Sequence, residues 1–398
     1  MTVPTEKLVE AAAREGRARL LAILSRRTGD LAAAEDALQA AFLKALESWP
    51  ELGVPRVPDA WLLTAARNHL TDGFRKESVR AGKEEAIVLL LDELAEASAK
   101  DGLPERRLEL LYACAHPAID EQVRPQLVLN TVLGVPAEDI GRCWLASKSA
   151  MAQRLVRAKA KIKASGIPFA IPEPSEREER TACVLEAIYG ALTIGGEGGA
   201  LAEEAAYLAS LLSRLLPNDP EAAALRALSL FVLAVRPEEG EPFRPLSERD
   251  PEGWNSEAIN LADNILVNAA RARKPGRFQL EAAISSARIA QLRDGRDTWE
   301  QVLHLYRRLI DLAPSLAATC GYAAALMEAG RNDEAASVLA GMDLDGEDFP
   351  PLLVVRAELA IRQREPRQAK VLLEKAAHLR AGHPDGAHLS ARARDLQS

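Results

Sequence analysis

Alanine and leucine recur at a fixed interval in the C-terminal half of the chain. Ala369 follows Ala335 at the same spacing at which Leu339 follows Leu305 and Leu373 follows Leu339. This spacing matches the period of about 34 residues that is typical of tetratricopeptide repeats, in which pairs of helices stack and bury a shared core. The sequence therefore predicts helical repeats over residues 299–379, and we extend this hypothesis to residues 182–236.

Helices are favoured along the whole chain. Aromatic residues make up 4% of the 398 residues, and the alanine, leucine, arginine and glutamate that dominate are strong helix formers. A chain of this length is too long to fold around a single hydrophobic core and is expected to form several domains. We therefore predict an all-α fold in several parts: a domain at residues 5–80, an acidic linker at 81–104, a second domain at 105–166, a proline-rich join at 167–176 and a helical extension at 177–398.

The first domain shows a helical apolar stripe, followed by a loop and a second helix. The stripe over residues 31–49 consists of Leu31, Leu38, Phe42, Leu46 and Trp49. Residues 50–58 are too rich in proline and glycine for a helix or strand, and Asp59 resembles an N-cap. The next helix carries a polar face of basic and amide residues: Arg67, Asn68, His69, Asp72, Arg75, Lys76 and Arg80. Such a face suits contact with single-stranded or melted DNA, although a solvated surface is the alternative.

The second domain contains a candidate helix-turn-helix. We predict helices at residues 124–133, 137–144 and 148–163, with a turn at Leu145 and Ala146 and an N-cap at Ser147. The apolar stripe of the third helix is Met151, Leu155, Ala158 and Ile162. By the geometry of recognition helices, the early residues Lys148, Ser149, Ala152 and Gln153 would read base edges, and Arg157, Lys159 and Lys161 would hold phosphates. The alternative is a basic amphipathic helix that is merely solvated.

Charge supports focused contact with nucleic acid. The formal net charge is −8, which argues against a protein that coats nucleic acid indiscriminately. No acidic residue occurs between Asp139 and Glu173, whereas basic residues are frequent there: Arg142, Lys148, Arg154, Arg157, Lys159, Lys161 and Lys163. The sequence thus places one short basic element inside an acidic protein.

Other classes of function have little support in the residues. The four cysteines form no C-x-x-C pair, so we expect reduced thiols in a cytoplasmic protein, although Cys114, His116 and Cys143 make a metal site conceivable. Neither a signal sequence nor an apolar run long enough to span a membrane is found. Catalytic motifs such as HExxH, a P-loop or GxSxG are missing as well. We therefore expect no enzyme activity and no cofactor.

The order of these segments resembles a known family. DLAAAEDALQAAFLKALESW (residues 30–49) and PDAWLLTAARNHLTDGFRKE (58–77) resemble region 2 of sigma-70-type RNA polymerase sigma factors of the extracytoplasmic-function (ECF) group. AEDIGRCWLASKSAMAQRLVRAKAKIK (137–163) resembles region 4 of that group. LELLYACAHPAI (108–119), AMAQRLVRAKAKIKASGIPFAIP (150–172) and GRFQLEAAISSAR (276–288) resemble its subfamily with a long tetratricopeptide-like C-terminal extension.

The resemblance implies a DNA-binding initiation subunit that works with core RNA polymerase and needs no cofactor. Asp36, Gln39, Phe42 and Leu43 would bind the polymerase clamp, and residues 51–57 would capture a flipped −10 base. The −10 contacts would come from Arg67, Asn68, Arg75, Lys76 and Arg80. The −35 contacts would come from Ser147, Lys148, Ser149, Ala152, Gln153, Arg154, Arg157, Lys159 and Lys161. The acidic linker would thread near the polymerase active site, and the extension would regulate activity through an intramolecular contact or a protein partner.

Three departures from the family pattern accompany this resemblance. The basic run that is usual after the region 2 helix is interrupted by Phe74, Glu77, Ser78 and Val79. Leu145 replaces a small turn residue, and residues 189–199 (YGALTIGGEGG) stand where the subfamily has an aromatic-Asn-Glu-Gly-Tyr segment. The alternative function is a tetratricopeptide scaffold for protein partners with a degenerate sigma-like N-terminal half.

Overall fold

The computed structural model describes residues 5–77, 103–144, 146–195, 199–237, 241–342 and 348–396, with backbone alone for 5–15, 72–77, 103–105 and 384. Every regular element among these residues is helical, which confirms the predicted all-α fold. The chain divides into two compact units, Met1–Ile194 and Gly195–Ser398. The predicted acidic linker lies almost entirely outside the described residues.

The first unit begins with three helices that pack on one another: α1 (Thr5–Thr28), α2 (Leu31–Leu52) and α3 (Pro58–Glu77). Asp30 caps α2, because its Oδ1 accepts a hydrogen bond from the Ala33 N–H at 3.1 Å. The buried face of α2 consists of Leu31, Ala34, Ala37, Leu38, Ala41, Ala45 and Trp49. Small alanines on this face let the neighbouring helices approach closely.

The structure corrects the predicted stripe of α2 at one position. Leu31, Leu38 and Trp49 are buried as predicted, but Leu46 is 41% exposed and Phe42 is half-buried. The prediction assigned the large apolar residues to the buried face of the helix. The helix instead buries the face that carries alanines, because these fit between close helices. Leu46 therefore lies on the solvent side of α2.

Two further predictions at the end of α2 are wrong. The helix continues through Pro50 to Leu52, so the loop begins only at Gly53, whose φ is +81° and whose N–H donates to the Trp49 oxygen at 3.0 Å. Pro50 removes one backbone hydrogen bond, and the helix ends at Leu52, two residues after it. Asp59 is not an N-cap: α3 starts one residue earlier, and the Asp59 carboxylate pairs with Arg19 of α1.

The next four helices of the first unit are α4 (Leu103–Cys114), α5 (Arg124–Thr131), α6 (Ala137–Cys143) and α7 (Lys148–Ala164). The last three match the helices predicted for the helix-turn-helix closely at each end. α4 packs against α1 and α5, and α7 packs against α5, α6 and α2. Both predicted domains thus contribute to one compact unit. Leu145, in the turn, lies outside the described residues.

The proline-rich join leads into an eighth helix, α8 (Pro174–Gly195), nearly all of which belongs to the first unit. The join is irregular as predicted, but Ile167 and Phe169 within it are buried, so it is packed against the unit rather than extended into solvent. The buried face of α8 comprises Arg180, Thr181, Val184, Leu185, Ala187, Ile188, Ala191 and Leu192.

The second unit contains the remaining helices: α9 (Ala200–Leu215), α10 (Pro220–Ala234), α11 (Ser256–Ala270), α12 (Arg277–Asp294), α13 (Trp299–Leu312), α14 (Leu316–Glu328), α15 (Asn332–Ala340), α16 (Pro350–Arg362), α17 (Pro366–Leu379) and α18 (Pro384–Asp395). Two short 3-10 turns, Leu246–Glu248 and Pro251–Gly253, precede α11. Successive helices pack against each other along most of this unit.

The helices after α12 repeat at the period that the sequence predicts. α14, α16 and α18 are evenly spaced, since they begin at Leu316, Pro350 and Pro384. The recurring residues are in the core: Ala335 and Leu339 pack in one cluster, and Ala369 and Leu373 in the next. The segment 182–236 does not follow this spacing, because α8 and α10 begin further apart than α14 and α16 do. The tetratricopeptide class itself stays a prediction.

A carboxylate from a neighbouring helix fixes the start of α12. Glu221 of α10 accepts hydrogen bonds from the Phe278 N–H at 2.7 Å, the Gln279 N–H at 3.2 Å and the Gln279 side-chain amide at 3.0 Å. The first N–H groups of a helix lack partners within the helix and favour negative charge. A Cβ at Gly276 would overlap the Glu221 carboxylate. Phe278 and Gln279 therefore bind the Glu221 carboxylate, and Gly276 leaves the space that the carboxylate occupies.

We expect Glu221→Ala to lower the free energy of unfolding of the second unit by about 1–3 kcal/mol, because it leaves several donors without an acceptor. Gly276→Ala should destabilise this unit too, since the methyl group displaces the carboxylate. Urea denaturation followed by circular dichroism measures both effects. The matched control is Glu203→Ala, which removes an exposed pair with Arg236 and should cost less than about 1 kcal/mol. Equal effects of the two glutamate substitutions would contradict this role for Glu221.

Candidate nucleic-acid interface

Helix α7 presents one apolar and one polar face, as the sequence predicts. Ser147 caps the helix, with its Oγ accepting from the Ala150 N–H at 3.2 Å. The buried residues are those of the predicted stripe: Met151, Leu155, Ala158 and Ile162. Since this stripe packs towards α5 and α6, the opposite face of α7 is fixed towards solvent.

Most of the residues predicted to contact −35 DNA lie on that solvent face. The exposed ones are Ser147, Lys148, Ser149, Gln153, Arg154, Arg157 and Lys161. Val156 is also exposed, between Gln153 and Arg157, and offers an apolar contact that the sequence pattern did not single out. Ala152 is half-buried, and Lys159 is held in a contact described below.

At the N-terminal end of this face, the acidic residues Glu138 and Asp139 of α6 pair with nearby basic side chains. Glu138 of α6 accepts from Lys148 Nζ at 2.9 Å and from Arg142 at 2.7 Å, and Arg142 also donates to Asp139 at 3.0 Å. The hydrogen bond from Lys148 and the charges of both cations hold the pKa of Glu138 below its ordinary value. These pairs are exposed and therefore weak. A phosphate group at this end would compete with Glu138 for Lys148.

A glycine sets the angle between α6 and α7. The Ala146 N–H donates to the Gly141 oxygen at 2.8 Å, and a Cβ at Gly141 would lie only 2.6 Å from the Ala146 oxygen. Any larger residue would push the turn away from α6. The orientation of the polar face of α7 thus depends on Gly141, which the sequence pattern did not identify.

A second basic patch lies on α3 and α1. Asn68 is exposed and Arg67 is half-buried. Burial and the nearby charge of Arg27 both lower the pKa of Arg67. Sequence reasoning missed Arg27 because it lies far from Arg67 along the chain, in another helix; its local signal is the basic pair in the last turn of α1. Two guanidinium groups that repel each other favour an anion between or beside them.

For the other residues predicted for −10 contact, the structure describes at most the backbone. Arg75 and Lys76 belong to the last turn of α3, but their side chains lie outside the described part of the structure. Arg80 lies outside the described residues altogether. Among the described side chains, the polar face of α3 therefore consists of Arg67, Asn68 and the exposed His69, joined by Arg27 of α1.

The loop between α2 and α3 displays apolar side chains to solvent. Leu52 is 84% exposed, and Val54, Arg56 and Val57 are exposed as well. Below the loop, the rings of Trp49 and Trp61 meet edge to face at 5.6 Å. This contact joins the end of α2 to the start of α3. The exposed guanidinium group of Arg56 is of the kind that stacks on the face of an unstacked base.

The outer face of α2 is a separate exposed surface. Asp36, Gln39 and Leu43, three of the residues predicted to bind polymerase, are exposed, and Phe42 is half-buried. Leu43 is 56% exposed, and Leu46 lies one helical turn further along the same side. These two exposed leucines give the outer face of α2 a small apolar surface flanked by polar residues.

Charged residues join the α1–α3 block to the α4–α7 block. Lys159 Nζ of α7 lies 2.5 Å from Glu35 Oε2 of α2 and 2.8 Å from Asn130 Oδ1 of α5. Arg17 of α1 donates to the Thr131 oxygen at 2.9 Å. Lys159 and Glu35 expose only 14% and 17% of their side chains. The structure therefore holds one of the predicted phosphate contacts, Lys159, in a half-buried ion pair.

A second pair flanks this contact. Lys163 Nζ lies 2.7 Å from Asp30 Oδ2. Burial acts to raise the pKa of Asp30, but the hydrogen bonds from Lys163 and the Ala33 N–H outweigh it and leave the pKa below its ordinary value. The carboxylate of Asp30 thus both caps α2 and holds the C-terminal end of α7.

Helix α8 is attached to the α4–α7 block by specific polar contacts. The hydroxyls of Tyr112 and Thr181 lie 3.0 Å apart in a buried site. Arg124, itself buried, donates to the Pro117 and Ile119 oxygens and to Glu179 Oε1, the last at 2.8 Å. Since a buried guanidinium group needs such partners, this set fixes α8 against α4 and α5.

The thiols do not support the conceivable metal site. Cys114 is buried, and burial raises the pKa of its thiol, whereas His116 Nδ1 accepts from the Ala118 N–H at 3.1 Å. Among the described residues, no three histidine, cysteine or acidic side chains are grouped to hold a metal ion. Within the same part of the chain, no helix is both long and apolar enough to cross a membrane.

Two separate segments of the chain match known protein families. Residues 13–80 match the family described as Sigma-70 region 2, which covers most of α1 and all of α2 and α3. Residues 180–270 match a family of unknown function, DUF6596, which extends from α8 to α11. No solved structure matches the chain.

Individual proteins are similar to longer parts of the chain. The chain is 34% identical over 334 residues to the uncharacterized protein R00370 of Rhizobium meliloti (strain 1021), which covers 80% of this chain and 79% of that protein. It is 29% identical over 185 residues to the "Probable ECF RNA polymerase sigma factor SigI" of Mycobacterium tuberculosis, covering 45% of this chain and 62% of SigI, less than two thirds of that relative. The chain belongs to the family of protein R00370, and its N-terminal part is a sigma-70 region 2.

Proposed function

We propose that this protein is an RNA polymerase sigma factor of the ECF group. It binds core polymerase through the outer face of α2, contacts the −10 element through α3 and reads the −35 element through α7. It acts in the cytoplasm, performs no chemistry of its own and needs no cofactor. The observation that carries the proposal is the capped helix α7, with its basic face turned to solvent, in the same compact unit as a sigma-70 region 2.

The arrangement of α5, α6 and α7 supports DNA reading in the manner of a helix-turn-helix. The N-terminal residues of a recognition helix reach base edges, while later basic residues hold phosphates. Ser149 and Gln153 are exposed on the early turns of α7, and Arg157 and Lys161 are exposed on the later ones. The charge of this face is concentrated in an otherwise acidic protein, which favours a defined contact.

The decisive experiment is run-off transcription with the purified chain, bacterial core polymerase and a library of promoter fragments. Initiation from a defined set of start sites supports the proposal. If the chain neither binds core polymerase nor directs initiation, the proposal fails. The alternative, a protein-interaction scaffold built on the repeats of the second unit, then takes its place; the even spacing of α14, α16 and α18 favours it.

For DNA contact, we expect Arg157→Ala to weaken binding to all promoter sequences alike and to reduce the slope of log affinity against log salt by about one. Gln153→Ala should instead cost about 1–3 kcal/mol on the preferred sequence alone, because it removes contact with a base edge. Fluorescence anisotropy over a range of salt concentrations separates the two. Lys370→Ala, which removes a lysine from the second unit, is the control and should change neither quantity.

For polymerase contact, we expect Leu43→Glu and Leu46→Glu each to weaken binding to core polymerase about tenfold or more, since each places a charge where an apolar side chain becomes buried. Leu312→Glu is a matched control, because Leu312 is a leucine 53% exposed, between Leu46 and Leu43 in exposure, but lies in the second unit. Binding is measured by biolayer interferometry with immobilised core. Loss of binding in the Leu312 variant alone would contradict the assignment.

The second unit, we propose, regulates the first through an intramolecular contact or a protein partner. The test keeps α8, because a chain cut before this helix would expose the apolar surface of the first unit that α8 covers, including the surroundings of Tyr112 and Arg124. We expect a chain ending at Ile194 to remain folded and to differ from the full chain in run-off transcription. A chain ending at Glu173 should melt at lower temperature. Identical transcription by the 1–194 fragment and the full chain would refute a regulatory role.

A further inference from the structure

The loop between α10 and α11 (residues 235–255) reaches the last helix of the second unit. The ring of Phe243, in this loop, meets the imidazole of His388 in α18 edge to face, with 5.5 Å between the ring centroids. Further along the loop, the 3-10 turn Pro251–Gly253 packs against α12. Loops longer than about 15 residues are uncommon in compact domains and usually carry function. The α10–α11 loop therefore connects the first and the last of the helices from α12 to α18.

Both ends of the α10–α11 loop are anchored. The Asn255 N–H donates to the Ala234 oxygen at 2.9 Å, and Arg249 donates to the Val235 oxygen at 3.0 Å. Val235 is buried, whereas Phe243 at the tip of the loop is half-buried. The base of the loop thus belongs to the core of the second unit, and the tip lies on the surface of α18.

The tip of the loop is extended. Residues 241–245 (EPFRP) form no regular secondary structure. The two prolines fix their own φ angles, and Pro245 also restricts Arg244 to extended backbone. Extended proline-containing segments lose little conformational freedom on binding and are a common form of peptide ligand. The tip therefore has the backbone form of a bound peptide.

The reach of the loop indicates its path. The segment from Phe243 to Pro251 can span at most about 29 Å. Packed helices lie about 8–10 Å apart, so three spacings, from α12 past α14 and α16 to α18, measure about 24–30 Å. The segment has no length to spare for a path around the outside of the helices. We infer that it passes along α14 and α16.

Helices α14, α16 and α18 share one charged side, and His388 lies on it. α14 packs directly against α16, and Arg362 of α16 lies 2.9 Å from Glu328 of α14. Arg392 of α18 pairs with Glu358 of α16. His388 is one helical turn before Arg392 and therefore faces the same side of α18. Stacked helical repeats use a side of this kind to bind extended chains.

The loop does not satisfy His388 completely. Within the described part of the chain, His388 Nε2 is buried and has no hydrogen-bond partner. A buried polar atom without a partner is unfavourable, and the phenyl ring of Phe243 offers neither a conventional donor nor an acceptor. A ligand that brings an aromatic ring together with a hydrogen-bonding group would suit this place better than the loop does.

We propose that the side of α14, α16 and α18 beside His388 is a peptide-binding surface, and that the tip of the α10–α11 loop occupies it in the free chain. Its ligand is an extended, proline-containing segment of a partner protein that places an aromatic ring where Phe243 lies. The ligand displaces the tip while both ends of the loop stay anchored. This inference goes beyond the proposed function, because it concerns the second unit alone and needs neither polymerase nor DNA.

The test uses a fluorescent synthetic peptide with the sequence of residues 241–250 (EPFRPLSERD) and measures its binding to the full chain by anisotropy. In a loop-replaced chain, glycine and serine take the place of residues 241–247, which empties the surface and keeps Arg249 and Asn255. We expect this chain to bind the peptide at least about tenfold more tightly than the wild type, whose surface is occupied. Phe243→Ala in the full chain should tighten binding as well.

Two substitutions test whether the ring contact carries the binding. The peptide with Phe243→Ala should bind the loop-replaced chain about tenfold more weakly than the original peptide. His388→Ala in the loop-replaced chain should weaken binding of the original peptide to a similar degree. His304→Ala is the matched control, since it removes an exposed histidine of α13, and it should leave binding unchanged.

Thermal unfolding separates a replaceable tip from a part of the core. Because Phe243 is half-buried, Phe243→Ala should lower the unfolding temperature by less than about 4 °C, and a larger fall would overturn the proposal. Circular dichroism checks folding; if the loop-replaced chain does not fold, the Phe243→Ala chain decides. The proposal also fails if neither chain binds the peptide better than the wild type, or if the alanine peptide binds as well as the original.

Discussion

The structure depends on the burial of alanine and leucine stripes between paired helices. With few aromatic residues, the chain cannot build a core from large side chains, and it relies on many close helix contacts instead. Helix α2 shows the consequence, because its buried face is largely alanine and its large residues Leu43 and Leu46 are turned outward. Close packing on one side thus creates an apolar surface on the other.

Polar residues and close approaches then decide how the packed helices are oriented. Glu221 fixes the start of α12, Arg124 joins α8 to the helices before it, and Gly141 sets the turn into α7. Each acts at a helix end or a helix crossing. At these places a backbone group would otherwise lack a hydrogen-bond partner, or a larger side chain would keep the two helices apart. The apolar contacts supply most of the stability, and these few specific contacts select one arrangement of the helices.

Helix α8 belongs almost entirely to the first unit and ends where the second unit begins in the sequence. The helix follows the predicted join, yet it packs with the α4–α7 block through Thr181 and Glu179. The match to DUF6596 begins at residue 180, within α8, and ends at the end of α11. One sequence family therefore spans the boundary between the units.

The sequence by itself determined the helical class, the even spacing of the last helices, and the cap and stripe of α7. These follow from local periodicity and from side chains that bond their own backbone, which neighbours in sequence suffice to define. Only the tertiary structure decided that Leu46 faces solvent, that Arg27 joins Arg67 and that Lys159 is paired with Glu35. Each of these depends on helices distant in sequence being brought together, and the choice among competing partners for a charge or an apolar side chain is made by packing.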